Sequence, residues 1–426
     1  MVAPYMLRVS SPPKKGFPPM IRKVCSDGVG YSVVDLTDVR HVFAAAVPRV
    51  SGDLATQTWD ALRTIESVMK EESTLGSIVH QVVFLADDSK LAECREVMRE
   101  FYGPEFPATT YVPQKPCHGA LVSIEALGVG RKKGDVTIER KSEQLVIASH
   151  NGVSWIHCAH VTPDPEVDGV YHQALNAFSK MRGILGSVGV DFAQVIRTWL
   201  YLGGIVEGEG DKQRYKELNR ARADFYQNIR FLTNYLPVEK GAVYPASTGI
   251  GVDGHHLIMS CIAMKTDRRD IVAMPLENPR QTPAFGYGCQ YGPKSPKFSR
   301  AMALSCGSYA TIFISGTASI TNSETRHIGD VEKQTEETLD NIAALVSEEN
   351  LARHNLPRLG TTLDQLALVR VYIKNPEDYA KVKAICDRRL GEVPTIYAIA
   401  DVCRPELLVE IEGVAFSHLS CDSGHC

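Results

Sequence analysis

The sequence predicts an α+β protein made of three tandem copies of one unit, folded against one another as a pseudo-trimer within a single chain. Three observations carry this. An apolar run with one polar residue at its third position occurs three times: VHQVVFLADD (79–88), VIRTWLYLGG (195–204) and LVRVYIKNP (368–376), the polar residues being Gln81, Arg197 and Arg370. An amphipathic helical pattern precedes each run. A proline opens a short apolar strand after each, at Pro107, Pro245 and Pro394. Three anchors recurring in one order are the mark of an internal repeat.

Each unit opens on a strand: HVFAAAVP (41–48), SWIHCAHV (154–161) and TIFISGTA (311–318). The first helix shows Trp59, Leu62, Ile65 and Met69 on one face, the second Leu175, Phe178, Met181 and Leu185, the third Leu339, Ile342, Ala343 and Val346. Spacings of three and four residues make one apolar stripe. Next come the strand with the polar third position, a second helix, and the proline-opened strands FPATTYVP (106–113), YPASTGIG (244–251) and VPTIYAIA (393–400). Each unit thus reads β-hairpin, helix, strand, helix, strand, with both helices on one sheet face; the bare face needs a cover, which three units supply to one another. The boundaries expected are an extension at 1–33, units at 34–135, 145–270 and 301–419, a linker at 271–300 and a tail at 420–426.

With 426 residues, 44% hydrophobic and 23% charged, the chain has the balance of a soluble globular protein of two or three domains. A net charge of −4 leaves no basic footprint for nucleic acid. No apolar run approaches the roughly 20 residues of a membrane helix, and the N-terminal Pro and Lys residues interrupt any signal-peptide core. Eleven cysteines, an odd number without a CxxC pair, point to reduced thiols and a cytoplasmic location. Walker, Rossmann and HExxH signatures are missing, so no cofactor and no metal are expected. In HCAH (157–160) the two histidines sit three apart on a strand, face opposite sides and cannot share a metal. The tail CDSGHC (421–426) lies past the last strand.

CRPELLVEIEG (403–413) reads as a strand with Leu407, Val409 and Ile411 alternating against Leu408, Glu410 and Glu412. Period two puts both glutamates on one face of a half-buried strand. Two carboxylates that lose water together push one pKa up, and a glutamate kept protonated near neutrality can deliver a proton. The competing reading is a buried glutamate paired with an arginine, Arg404 being the candidate.

The repeat resembles the RidA (YjgF, endoribonuclease L-PSP-like) superfamily, whose small chorismate mutase-like subunits form trimers with ligand pockets between neighbours. VEIEGVA (409–415) is similar to that family's closing strand, with Glu410 on its pocket glutamate. The imine deaminases of the family carry an arginine just after the proline of the last strand; Thr109, Ser247 and Ile396 stand here. A closer resemblance, over roughly residues 145–418, is to the chorismatases. It rests on RTWLYL (197–202), RYKELNRARA (214–223), YPASTGIG (244–251), LENP (276–279), YGPKSPKFSRA (291–301), ISGTASI (314–320), RHIGDV (326–331) and ADVCRPELLVEIEG (400–413). Two departures are Leu200, where the family usually has asparagine, and DGHHL (253–257), where it has a glycine-rich run.

The resemblance implies an enzyme that removes the enolpyruvyl group of chorismate, or of a related small carboxylated substrate, as pyruvate without a cofactor. Glu410 would be the general acid. Ser123 stands where the third unit has Glu410 and the second unit has only LIMSCIAM, so one catalytic cleft per chain is expected. Arg197 and Arg222 are the candidate carboxylate anchors, because the planar guanidinium binds a carboxylate in bidentate fashion. Arg197, on an apolar strand, needs an anionic partner, either substrate or a protein carboxylate. Tyr215, Ser247 and Thr248 are the further substrate-binding candidates. Tyr397 is expected to cap the pocket near Glu410, with Glu412 and Arg404 in support. Arg220 points elsewhere on its helix. The alternatives are a RidA-type imine deaminase or hydrolase, and a non-catalytic binder of small carboxylated metabolites. A fused pseudo-trimer can be monomeric, and further pairing is left open.

Overall fold

The computed structural model describes residues 21–74, 77–210, 212–236 and 242–419. The first 20 residues of the expected extension and the expected tail lie outside these.

The first sheet is built from β1 (Ile21–Ser26), β2 (Val29–Leu36), β3 (Val39–Ala46), β4 (Ile78–Leu85), β5 (Ala108–Val112) and β6 (Val122–Arg131), with helices α1 (Leu54–Glu71) and α2 (Leu91–Tyr102). The second uses β7 (Thr137–Ser142), β8 (Leu145–His150), β9 (Val153–Val161) and β10 (Val195–Gly203). A two-residue ribbon, β11 (Gly208–Glu209) with β12 (Lys212–Gln213), precedes β13 (Ala246–Val252) and β14 (Leu257–Thr266); the helices are α3 (Val170–Gly186) and α4 (Arg214–Tyr226). The third has β15 (Ile271–Leu276), β16 (Ala301–Cys306) and β17 (Tyr309–Ala318), then a ribbon of β18 (Ile320–Thr321) and β19 (Glu324–Thr325). It closes with β20 (Leu366–Ile373), β21 (Thr395–Ile399) and β22 (Val409–His418), and carries α5 (Val331–Val346), α6 (Glu348–Arg353) and α7 (Tyr379–Leu390).

The three six-stranded sheets share one strand order: β1-β2-β3-β6-β4-β5, β7-β8-β9-β14-β10-β13 and β15-β16-β17-β22-β20-β21. The long closing strand of each unit runs mid-sheet, antiparallel to both neighbours. The helix stripes are buried as their spacing requires: Leu62, Ile65, Phe178, Met181, Leu339 and Ile342 all lie inside. Asp53 and Asp330 cap α1 and α5 by accepting backbone N–H bonds from Thr56 and Lys333.

Several expectations move. β1 and most of β2 fall within the expected extension yet pair into the first sheet, and β15 falls within the expected linker yet pairs with β16. The closing strand starts at Val409 rather than Cys403. Pro405 has no N–H for a ladder, and Leu407 N–H turns back to Arg404 O at 3.1 Å. The repeat alignment also shifts, by one residue in the first unit and by two in the third. In the ladders His80 stands opposite Leu127, Arg197 opposite Ile262 and Leu368 opposite Val414. Gln81 therefore points to the helix side, where it bonds Thr109 (2.8 Å) and Tyr102 (2.8 Å). Arg370 occupies the place of Trp199, on the same face as Arg197. A one-residue slip changes the face, and a two-residue step keeps it.

Candidate active site

The helix-free faces carry two distinct polar regions. The first is a buried ion-pair chain that crosses all three sheets. Arg370 donates Nε and Nη2 to Glu125 at 2.6 and 2.7 Å and Nη1 to Glu412 at 2.9 Å. Glu412 also accepts from Tyr372 (2.8 Å), Trp199 (3.1 Å), Thr248 and Arg197. All of β10 is buried on both faces, which explains how Arg197 comes to lie in an apolar run. Its partner is a protein carboxylate, Glu412, and it faces a largely apolar cavity of about 80 Å³ shared by the three sheets, not the pocket that holds Glu410. Of the two partners the sequence left open for Arg197, the structure supplies the protein carboxylate, so Arg197 is not among the residues that line the Glu410 pocket.

The second region is a pocket of about 240 Å³ between the second and third sheets, with Glu410 in its wall. Glu410 is 4% exposed. Burial and then the neighbouring Glu412 charge push its carboxyl up to about 8, against the pull of Arg197 and Arg300. Burial also acts to raise Glu412, but Arg197, Arg370 and the bonds from Thr248 and Tyr372 outweigh it and hold that carboxyl below its ordinary value. The two glutamates share a face, as period two requires, and play opposite parts. One is a clamped anion. The other is a proton-bearing acid at neutral pH.

Around Glu410 the pocket is cationic. On α4, Tyr215, Asn219 and Arg222 recur at intervals of four and three and line it together. Arg222 is fully buried; it donates to Ser247 Oγ at 3.2 Å and to Asn219, and its Nε is unpartnered. Arg300 lies just ahead of β16, donates to Thr282 O (2.9 Å) and Tyr287 Oη (2.6 Å), and likewise has an unpartnered, buried Nε. The two guanidiniums sit 5.5 and 5.4 Å from the centroid of the Phe298 ring. Among the described residues no carboxylate forms an ion pair with either. A buried guanidinium without a carboxylate is costly, and two in one pocket suit a dianionic ligand. Lys216, Lys294 and Arg404 add charge along the same walls.

Of the expected residues, the structure brings Glu410, Tyr215, Arg222, Ser247 and Arg404 to this pocket. Arg404 does not pair with Glu410; it donates to Ser323 O and Thr325 and stacks on Tyr291 at 4.5 Å. Thr248 does not line the pocket but bonds Glu412 and Arg197 behind it. Tyr397 is a correction: it lies on the helix side of the third sheet, packed on Tyr379 at 5.4 Å within the same apolar cluster as Val409 and Ile411, so the sheet separates it from Glu410. Arg220 pairs with Glu217 and stacks on Tyr171, as its helix position requires. Ser123 stands opposite Phe84 as Glu410 stands opposite Tyr372, so the ladders give the expected correspondence. His157 stacks on His80, whereas His160 accepts from Tyr111 N–H, and the two histidines go separate ways. Leu200 and the 253–257 run do not line the pocket.

Sequence reasoning missed Arg300, Phe298 and Gly316. The first two alternate at i and i+2 ahead of a strand, a signal available in YGPKSPKFSRA. Gly316, inside an apolar strand, is a bulge signal, and a Cβ there would collide with Glu410 Oε1. Glu125 was also missed; it stands opposite Val82 as Glu412 stands opposite Arg370.

Comparison with known proteins adds family context. The family described as Endoribonuclease L-PSP matches residues 294–417, and that described as Chorismatase FkbO/Hyg5-like, N-terminal, matches residues 132–263. A 3-hydroxybenzoate synthase of Streptomyces hygroscopicus is 33% identical over 287 residues, covering 66% of this chain and 79% of the relative. A chorismatase of Streptomyces rapamycinicus is 34% identical over 278 residues, covering 62% and 78%. A chorismatase crystal structure superposes with a TM-score of 0.64 at 22% identity, covering 89% of this chain and all of the other, and so shares its fold.

Proposed function

This chain belongs to the chorismatase family, and from that premise we propose that it cleaves the enolpyruvyl group of chorismate, or of a close carboxylated relative, releasing pyruvate. The observation that carries the reading is Glu410: a buried carboxyl that keeps its proton near neutral pH, beside two guanidiniums that pair with no carboxylate among the described residues.

In this reading Arg222 and Arg300 hold the substrate carboxylates, with Ser247 orienting Arg222 and Tyr215 closing the wall. Glu410 gives its proton to the terminal methylene of the enol ether, leaving an oxocarbenium-like carbon. Water adds to that carbon and gives up its proton, and the Glu410 carboxylate is the base that recovers it. As the ether bond of this hemiketal breaks, Glu410 returns the proton to the departing ring oxygen, the hemiketal hydroxyl releases its own proton to solvent, and pyruvate is freed. An acid poised near neutrality serves these proton transfers. The proposal requires no cofactor.

We read the three sheets as units of a pseudo-trimer whose helix-free faces meet, supported by the ion-pair chain from Glu125 through Arg370 and Glu412 to Arg197. The units then correspond to roughly residues 21–131, 137–266 and 271–418. Among the described residues, the cleft between the second and third is the one that carries the acid.

The test is pyruvate release from chorismate by the purified protein beside Glu410→Gln. Release by the wild type and its loss in the variant support the reading. Equal release by both removes Glu410 as the acid. Release by neither removes chorismate as the substrate.

A further inference from the structure

The pairing of β17 with β22 slips at one place. Ile314 stands opposite Gly413 and Thr317 opposite Ile411, so three residue steps on β17 face two on β22. The extra residue makes a β-bulge at Ser315 and Gly316, the device by which a strand re-aims a neighbouring side chain. Both bulge residues are held from β13 of the second sheet. Ser247 N–H donates to Ser315 Oγ at 2.9 Å, and Gly316 N–H donates to Thr248 Oγ1 at 2.9 Å.

The Thr248 hydroxyl is saturated. It accepts from Gly316 N–H and from Arg197 Nη2 at 2.7 Å, and it gives its single proton to Glu412 Oε2. Thr248 is 1% exposed, so water does not substitute for these bonds. Gly316 in turn is the backbone over which Glu410 lies. A Cβ at Gly316 would meet Glu410 Oε1 on one side and Thr248 Cγ2, 3.0 Å away, on the other. One hydroxyl therefore touches both the peptide beneath Glu410 and the carboxylate beside it.

We propose that Thr248 is a positioning residue for the acid step inferred above, its hydroxyl fixing where the Glu410 carboxyl lies and how firmly it keeps its proton. The assignment rests on the functional reading only for its effect on turnover. Without the hydroxyl, Gly316 N–H loses its acceptor beside the Glu410 carboxyl, and a free N–H donor favours the charged form of a carboxyl. Glu412 loses a donor at the same moment but keeps Arg197, Arg370, Tyr372 and Trp199, so it stays charged beside Glu410. The freed N–H is the change that loosens the Glu410 proton. Around Glu410 also stand Tyr215 and Arg222 on α4, Arg300 ahead of β16, Cys403 and Arg404 in the turn before β22 and, behind the pocket, Arg197 on β10. Of these only Arg197 bonds Thr248.

The experiment compares wild type, Thr248→Val and Thr248→Ser by two readouts. The first is the infrared carbonyl band of protonated Glu410, identified by its loss in Glu410→Gln and followed against pH. The second is the pH profile of pyruvate release. In Thr248→Val the midpoint of the band falls by about one pH unit, and kcat falls at least about tenfold with KM little changed. Thr248→Ser, which keeps the hydroxyl, restores the wild-type midpoint. The proposal is overturned if Thr248→Val titrates like the wild type, or if Thr248→Ser shifts as far as Thr248→Val, which would assign the effect to the methyl group. Thr248→Ala, read by the same band, replaces Thr248→Val if that variant does not fold. If the wild type releases no pyruvate, the functional reading fails while the infrared midpoint still decides the role of Thr248.

Discussion

Glu410 and Glu412 stand two residues apart on one face of one strand, yet their carboxyls shift in opposite directions. The difference comes from their partners. Glu412 is met by two arginines and three further hydrogen-bond donors, while Glu410 faces a pocket whose cations stand off from it. The clamped charge helps to keep its neighbour protonated.

This sets the pH dependence. Turnover that needs protonated Glu410 is expected to hold through neutrality and fall as pH rises through about 8. Stability follows the same proton. The folded state binds it more tightly than the unfolded chain, so the contribution is full below the ordinary value of 4.5 and is lost as pH rises through about 8. Glu410→Gln, which has no charge to bury, should gain melting temperature over the wild type as pH rises, and thermal scans across that range check it.

Arg222→Ala and Arg300→Ala should each weaken binding of a dicarboxylate substrate roughly ten- to hundredfold, since a hydrogen bond to a charged group contributes about 1.5–3 kcal/mol. Calorimetric titration of Glu410→Gln carrying either change measures this without turnover. An unchanged affinity would remove the two guanidiniums as anchors.

Glu125→Gln should destabilise the fold without touching the pocket. It leaves Arg370 buried with half its carboxylate partners, and breaking a buried pair costs about 3–5 kcal/mol. Denaturant unfolding should show a lower midpoint with an unchanged slope.

Gly316→Ala should cost turnover more than binding. The added Cβ meets Glu410 Oε1, so the acid moves while Arg222 and Arg300 stay in place. Steady-state kinetics should show kcat falling and KM nearly constant.

Much of this was legible in the chain. The helix stripes at Leu62, Phe178 and Leu339 and the strands after them follow from spacing alone, because period and burial are local properties. Glu410 was legible through its strand alternation, and Arg222 through the resemblance of RYKELNRARA to the chorismatases. Tyr397 was misread because period two gives a face only relative to a known register, and its pairing with Val371 is set by the fold. Arg300 was overlooked because it precedes its strand, where its alternation with Phe298 is too short to stand out.

The sequence by itself determined the mixed α+β class, the order of strands and helices and the two glutamates on one face, since these depend on residues close together in the chain. The tertiary structure alone decided which glutamate is the acid. Arg197 comes from a different sheet than Glu412 and lies 215 residues away in sequence, and Thr248 reaches the same carboxylate from β13. A carboxyl's proton affinity depends on burial and on charges brought within a few ångströms, and only the packing of one sheet on another brings them there.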